Sequence, residues 1–202
     1  EHRQEVQTNL LNTLDRINSK FCQSIVSKFK ITLGDEFEGL MSVNGDWICI
    51  INELFFSLHP TKIRFGVGVG NITTQIQAMN IQEMDGTAFD LARKAIEQLA
   101  KEKQKYRGNI NYFKIYIHDQ SKTEIMNNTL SLLSILYSSY TSRQVEILHA
   151  YMNHEMNQFK TAAFLKIGQL AISKTLKKTE FYEVKDSWDL LNTLVMSIEE
   201  NG

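Results

Sequence analysis

The chain has 202 residues, a formal net charge of −1 and a hydrophobic fraction of 43%. This composition is typical of a globular protein with one large or two small domains, and its balanced charge excludes bulk attraction to nucleic acid or an anionic membrane. Cys22 and Cys49 have no metal-ligand spacing, so we expect free thiols and a cytoplasmic protein. No apolar run reaches the roughly 20 residues that span a bilayer.

Hydrophobic periodicity predicts a first domain, residues 1–121, of α+β type. An amphipathic helix at the very start of such a domain favours a preceding strand. Alternating apolar residues then predict a hairpin that turns at Gly34-Asp35. The whole pattern predicts a ferredoxin-like or palm-like mixed sheet with helices over one face. The expected elements are a helix at 3–18, strands at 29–33 and 37–42, a helix at 46–58, strands at 62–70 and 71–78, a helix at 87–104 and a strand at 112–117.

Two features of this domain suggest a site. Asp35 and Glu36 lie at the hairpin turn, where acids stand against an apolar background, and they are candidate metal ligands. The strand at 62–70 has Gly66 and Gly68 on one face, and glycines there indicate that something approaches the backbone closely. Either a helix packs tightly on this face or a ligand lies across it.

Residues 122–140 predict a connecting helix that has no charged residue after Glu124. So much apolar surface needs cover on several sides. The helix either packs between two domains or pairs with a second copy of the chain, which would make the protein a homodimer.

The last domain, residues 141–202, is expected to be all-helical. Thr141 and Ser142 are hydroxyl N-caps for a first helix, and further short helices are expected at 158–165 and 169–178. This is the spacing of a helix-turn-helix unit. Such a unit needs a small residue where its helices cross, and Ala162 fits. It also needs apolar residues around the turn and on the inner face of the following helix, which are Leu165, Ile167, Ile172 and Leu176.

Positive charge is concentrated in this unit. The stretch from Phe159 to Thr179 has five lysines and no acid, whereas acidic residues flank it on both sides. Such a patch in a chain of balanced charge indicates a nucleic-acid surface. Base-edge contacts are expected from Gln169 and Ser173, and phosphate contacts from lysines. The predicted DNA-binding residues are Lys160, Gln169, Ser173, Lys174, Lys177 and Lys178. A protein-interaction module with a solvated lysine face is the alternative.

Residues 161–176 resemble the helix-turn-helix of bacterial regulators. Lys166 stands where those usually have the turn glycine, and Gly168 where they often have serine. Residues 181–184 are expected to form a short wing or a connector, and a last helix closes the core.

The chain as a whole resembles the SatD family. The resemblance rests on the segment Leu33-Gly34-Asp35-Glu36-Phe37, the strand of alternating glycines, the helix start at 85–89 and the helical C-terminal region. It implies a cytoplasmic, regulator-like protein from a Gram-positive bacterium.

The first domain is also distantly similar to the palm domain of class III nucleotide cyclases and GGDEF enzymes. The shared features are Gly34-Asp35, the strand from Arg64 to Gly70, and the segment from Gly86 to Arg93. In that family two acids hold two divalent ions that clamp a nucleoside triphosphate. The resemblance implies Asp35 or Glu36 as one acid, an acid on a preceding strand as the other, and Gly66, Gly68 and Arg93 as ligand contacts.

This sequence departs from the cyclase pattern. Lys30 is one residue away from the position of the family's lysine, and a slip of one residue turns a strand side chain to the other face. The asparagine and arginine of the last helix are not both matched by Asp90 and Arg93. We therefore expect a DNA-binding regulator with a cyclase-like sensor or scaffold, which needs no cofactor. A metal-dependent nucleotidyl-transfer enzyme with Mg²⁺ and a nucleotide, and a non-catalytic adaptor, are the alternatives.

Overall fold

A computed structural model describes residues 2–34, 36–105 and 111–198. Within them the chain is mixed α+β, with eight α-helices and four short strands. The elements are α1 (His2–Lys20), β1 (Ile25–Leu33), β2 (Glu36–Met41), α2 (Trp47–Leu58), β3 (Phe65–Gly68), α3 (Thr87–Lys105), β4 (Phe113–Tyr116), α4 (Gln120–Ser138), α5 (Ser142–Asn153), α6 (Gln158–Leu165), α7 (Gln169–Lys178) and α8 (Phe181–Met196).

The strands form two small sheets instead of the single mixed sheet that the sequence predicted. β1 pairs antiparallel with β2, and β3 pairs parallel with β4. The strand predicted at 71–78 is wrong, because this segment is irregular. It runs beside β1, where the amide of Lys28 donates to the carbonyl of Ala78 at 3.1 Å. The segment thus covers one edge of the first sheet without joining it.

Side chains of α4 cover the outer edge of β4. The Asn127 amide group accepts from the Ile115 N–H at 2.9 Å and donates to the Ile115 carbonyl at 2.7 Å. The Ser134 hydroxyl accepts from the Tyr112 N–H at 3.1 Å. The Asn127 side-chain amide therefore makes the hydrogen bonds that a neighbouring strand would make. It prevents another strand from pairing at this edge.

The glycine face of β3 packs directly against α3. A Cβ atom at Gly68 would lie 2.1 Å from the carbonyl oxygen of Ala88, and one at Gly66 would lie 2.6 Å from that of Ala92. Both contacts are with backbone atoms, which cannot move aside as a side chain can. Of the two explanations for these glycines, close helix packing is the one that the structure shows, so no ligand can lie across this face.

Helix α2 lies at the centre of the molecule. It packs against α1, α5 and α8, and its residues are buried on all sides. The Tyr137 hydroxyl of α4 donates to Asn52 of α2 at 2.8 Å and accepts from the indole N–H of Trp188 of α8 at 2.9 Å. The hydrophobic core is continuous from α1 to α8. Domain boundaries near residues 121 and 141 stay a prediction.

Gly68→Ala should destabilise the protein by about 3 kcal/mol, at the upper end for overpacking, because the added methyl meets backbone. Gly34→Ala is the matched control. Gly34 has a φ of 62° and nothing within 4 Å of an added Cβ, so its replacement should cost only about 1 kcal/mol. Urea denaturation measures both. A Gly68→Ala variant as stable as wild type would contradict the closed packing and reopen this face to a ligand.

Candidate nucleic-acid interface

Polar side chains cap the first two helices of the C-terminal unit. The Thr141 hydroxyl accepts from the Gln144 N–H, and the Gln144 side chain accepts from the Thr141 N–H, which confirms the predicted hydroxyl cap of α5 as a capping box. The Asn157 side chain accepts from the first amides of α6, those of Phe159 and Lys160. These local bonds satisfy amides that a helix start leaves free, and they fix where both helices begin.

The turn between α6 and α7 is a Schellman motif. The Ile167 N–H donates to the Ala162 carbonyl at 3.0 Å, and the Lys166 N–H donates to the Ala163 carbonyl at 3.3 Å. Lys166 has φ 54° and ψ 44°, the left-handed conformation that usually selects glycine. The lysine that departs from the regulator pattern therefore adopts the backbone conformation that the pattern requires.

Helix α7 lies on the other helices through its inner face. Ile172 and Leu176 are 0% and 1% exposed, and α7 packs against α5, α6 and α8. The opposite face presents Lys174, Lys177 and Lys178 to solvent. Among the described residues none of these three ammonium groups has an acidic partner within 4.0 Å. The positive charge of this face is therefore not neutralised within the described chain.

The other predicted DNA-binding residues are partly engaged. Lys160 is exposed and pairs with Glu155, Nζ to Oε2, at 2.5 Å. Gln169 is half-buried and donates from Nε2 to the Gln158 side-chain oxygen at 2.5 Å. Ser173 is half-buried on the same side of α7. The structure thus brings all six residues to α6 and α7, with Lys160 the one held by an acid.

The predicted wing or connector at residues 181–184 is wrong. Residues 181–184 form the first turn of α8, because Phe181 and Val184 are buried one turn apart and continue the apolar stripe of that helix. Tyr182 and Glu183 between them are exposed. The C-terminal unit is therefore all-helical in the part of the chain that the structure describes.

The acids predicted to bind metal do not form a site in the described residues. Asp35 lies outside them, and Glu36 is exposed at the start of β2. Arg93 is exposed on α3, where its guanidinium lies 3.8 Å from Asp90. No group of three or more His, Cys, Asp and Glu side chains that could hold a metal is present in the described ranges. The described residues therefore contain no such metal cluster, and the prediction for Asp35 falls outside them.

A buried acid that the sequence analysis missed joins α1, α2 and α5. The Glu53 side chain is 2% exposed and lies 3.0 Å from the Lys20 ammonium and 2.8 Å from Nε2 of His149. The Asn153 amide donates to it at 3.2 Å. Glu53 is the one charged residue of α2, and an acid inside so apolar a helix was the signal that could have found it. Its partners Lys20 and Asn153, on α1 and α5, are 33 and 100 residues away.

This cluster resembles a catalytic Ser-His-acid arrangement only in composition. The Ser57 hydroxyl lies 3.1 Å from Nε2 of His149, the same nitrogen that contacts Glu53. A relay needs the hydroxyl on one ring nitrogen and the carboxylate on the other. Burial would raise the pKa of Glu53, but hydrogen bonds and charges from His149 and Lys20 outweigh it and lower the pKa to about 2. The cluster is a structural ion pair that fastens α5 to α1 and α2.

Fold and site together define a mixed α+β protein whose C-terminal helices present a lysine-rich helix to solvent. The model of the SatD family matches residues 1–184, so the chain belongs to the SatD family. Searches of curated proteins and of solved structures gave no match. No helix in the described ranges is long and apolar enough to cross a membrane.

The ion pairs of Glu53 predict a pH-dependent contribution to stability. Because folding lowers this pKa from 4.5 to about 2, the carboxylate stabilises the fold above pH 4.5 and loses that contribution as the pH falls towards 2. The contribution at neutral pH is about 3 kcal/mol. We expect Glu53→Gln to lower the free energy of unfolding at pH 7 by about this amount and to flatten its decline between pH 5 and 2.

Urea denaturation across this pH range measures the effect. Glu97→Gln, which changes an exposed acid of α3, is the control and should follow the wild-type curve. A Glu53→Gln curve parallel to wild type would show that Glu53 is not ion-paired in the folded protein.

Proposed function

We propose that α5–α8 form a helix-turn-helix unit that binds DNA, and that the protein is a DNA-binding transcriptional regulator. The α+β part, residues 1–121, would be its palm-like sensor or scaffold. The observation that carries the proposal is the exposed lysine face of α7. The helix is anchored by Ile172 and Leu176, and it turns Lys174, Lys177 and Lys178 outward without acidic partners in the described chain.

Three further features support the proposal. The helix lengths and the three-residue turn have the spacing of a helix-turn-helix, in which the second helix enters the major groove. The exposed lysines lie along the outer face of α7, where they can reach phosphates beside that groove. Acidic residues are concentrated on α8, which follows α7 in the sequence. The positive charge of the unit is therefore local to α6 and α7.

The nucleotidyl-transfer alternative lacks a comparable observation. Its central acid, Asp35, lies outside the described residues, and α3 occupies the glycine face of β3. A role for Mg²⁺ or a nucleotide in this protein stays a prediction. We therefore derive no catalytic step.

Replacing Lys174 and Lys177 together by alanine should weaken binding to every duplex alike, because phosphate contacts carry no sequence information. Loss of two phosphate contacts should reduce the slope of log K against log salt by about 2. Fluorescence anisotropy with a labelled duplex of about 30 base pairs and random sequence, between about 50 and 200 mM salt, measures both quantities.

The matched control replaces Lys62 and Lys101, two exposed lysines of the α+β part. It should leave affinity and slope unchanged. Equal losses for both double variants would mean general charge attraction, and no loss for Lys174 and Lys177 would remove α7 as the DNA-contacting helix.

We also propose that the partner of α4 is a second copy of the chain. Ile125, Leu132 and Ile135 are 57%, 68% and 51% exposed, and their spacing of seven and three residues places them on one stripe of the helix. No charge follows Glu124 on α4, so an equally uncharged stripe is the complementary surface. A dimer would also present two recognition helices to two half-sites.

Leu132→Lys should convert a dimer into a monomer, because it buries two charges in an apolar interface. Size-exclusion chromatography with light scattering measures the mass at micromolar concentration. Leu11→Lys, at an apolar residue of α1 that is 48% exposed, is the control for a general effect of charge and should leave the mass unchanged. A wild-type chain that elutes as a monomer would contradict the dimer.

A further inference from the structure

The first residue of α7, Gln169, is held in place by side chains of two other helices. Its Nε2 donates to the Gln158 side-chain oxygen at 2.5 Å, and the Gln158 Nε2 in turn lies 3.4 Å from the Tyr182 hydroxyl. A glutamine amide has two N–H groups and one acceptor oxygen. Within the described chain the second N–H and the Oε1 atom of Gln169 have no partner. The brace therefore orients the amide and leaves one donor and one acceptor available.

That free donor and acceptor have the chemistry that recognises adenine. In the major groove adenine presents an N7 acceptor beside an N6 amino donor, and a glutamine amide can bind both at once. Gln169 lies in the first turn of α7, and the N-terminal residues of a recognition helix are those that reach base edges. A preset orientation also reduces the side-chain entropy lost on binding.

The neighbouring residue, Leu170, is a large apolar side chain that the core does not use. It is 63% exposed, whereas the inward positions Ile172 and Leu176 are almost fully buried. It lies on the same turn as Gln169 and four residues before Lys174, hence on the lysine face of the helix. The C5-methyl of thymine is the apolar group that the base edges of the major groove offer.

We propose that the N-terminal turn of α7 reads A·T base pairs, with Gln169 binding adenine and Leu170 contacting the thymine methyl. Gln158 is the positioning residue that presets the Gln169 amide. This inference rests on the DNA-binding function proposed above, and it adds the base that the unit selects.

A protein-binding role for Leu170 is the competing explanation. Phe159 on α6 is 73% exposed, and a patch of Phe159 and Leu170 would suit an apolar partner. The lysines that follow Leu170 along α7 favour a phosphate-rich partner, since an apolar protein surface offers them no counter-charge. DNA is therefore the occupant that the charges favour.

The test begins with selection of sites from a random duplex library by the full chain, followed by two atomic changes in the selected site. Thymine is replaced by uracil, which removes the methyl, and adenine by 7-deazaadenine, which removes N7. Wild-type affinity should fall about fourfold on the uracil site, the value of one buried methyl group. It should fall about fivefold on the 7-deazaadenine site, the lower end for loss of a bidentate contact.

Each variant should lose discrimination only for the base group that the replaced side chain contacts. Leu170→Ala should bind thymine and uracil sites equally but still reject 7-deazaadenine. Gln169→Ala should show the opposite pattern. Gln158→Ala should weaken rejection of 7-deazaadenine at an unchanged salt slope, and Gln158→Glu, which keeps the acceptor oxygen, should restore it. Lys177→Ala should weaken binding to all sites alike.

Two results overturn the inference separately from the proposed function. Selected sites without A·T enrichment, or a uracil penalty that persists in Leu170→Ala, would refute A·T reading while DNA binding stands; Leu170 would then belong to a protein-binding patch with Phe159. A chain that enriches no sequence and shows no salt-dependent binding would refute both.

Discussion

The structure depends on the burial of α2. This helix is strongly apolar and is buried on every side, so it cannot lie on a surface. α1, α5 and α8 provide that cover. Because two of these helices come from the C-terminal part, the same apolar burial that completes the α+β part also holds the helical unit in place. The polar contacts of α2, at Asn52 and Glu53, fix the arrangement further, since each is a buried group with partners on other helices.

This packing decides which surface of the C-terminal unit is available. α5 and α8 use their apolar faces on α2, and α7 uses Ile172 and Leu176 on its neighbours in the unit. The remaining face of α7 carries lysines, a braced glutamine and an exposed leucine. The inner face of α7 is fixed by packing, and its outer face carries charged and hydrogen-bonding groups. Such a helix can bind in a groove with little loss of conformational entropy.

Local signals were predictable from the sequence, and long-range ones were not. α6 and α7 begin and end where predicted, because Asn157 and the turn at Lys166 act over a few residues. Hydrophobic periodicity could not exclude a single mixed sheet. It does not show that the Asn127 side chain takes the hydrogen bonds that a neighbouring strand would make with β4. The Glu53 cluster was missed because its partners lie on distant helices. The acid itself stands out in the sequence as the one charged residue of α2. For Gly66 and Gly68 the residues left two explanations open, and only the position of α3 decides between them.

An NMR titration tests the central claim most directly. The ¹⁵N-labelled chain would be titrated with a short duplex at moderate salt, and amide shifts would be followed residue by residue. The account predicts that the shifts are concentrated in α6 and α7, at residues 158–178, with the hairpin at residues 25–41 unchanged. Shifts confined to the α+β part, or no shifts at any salt concentration, would contradict it.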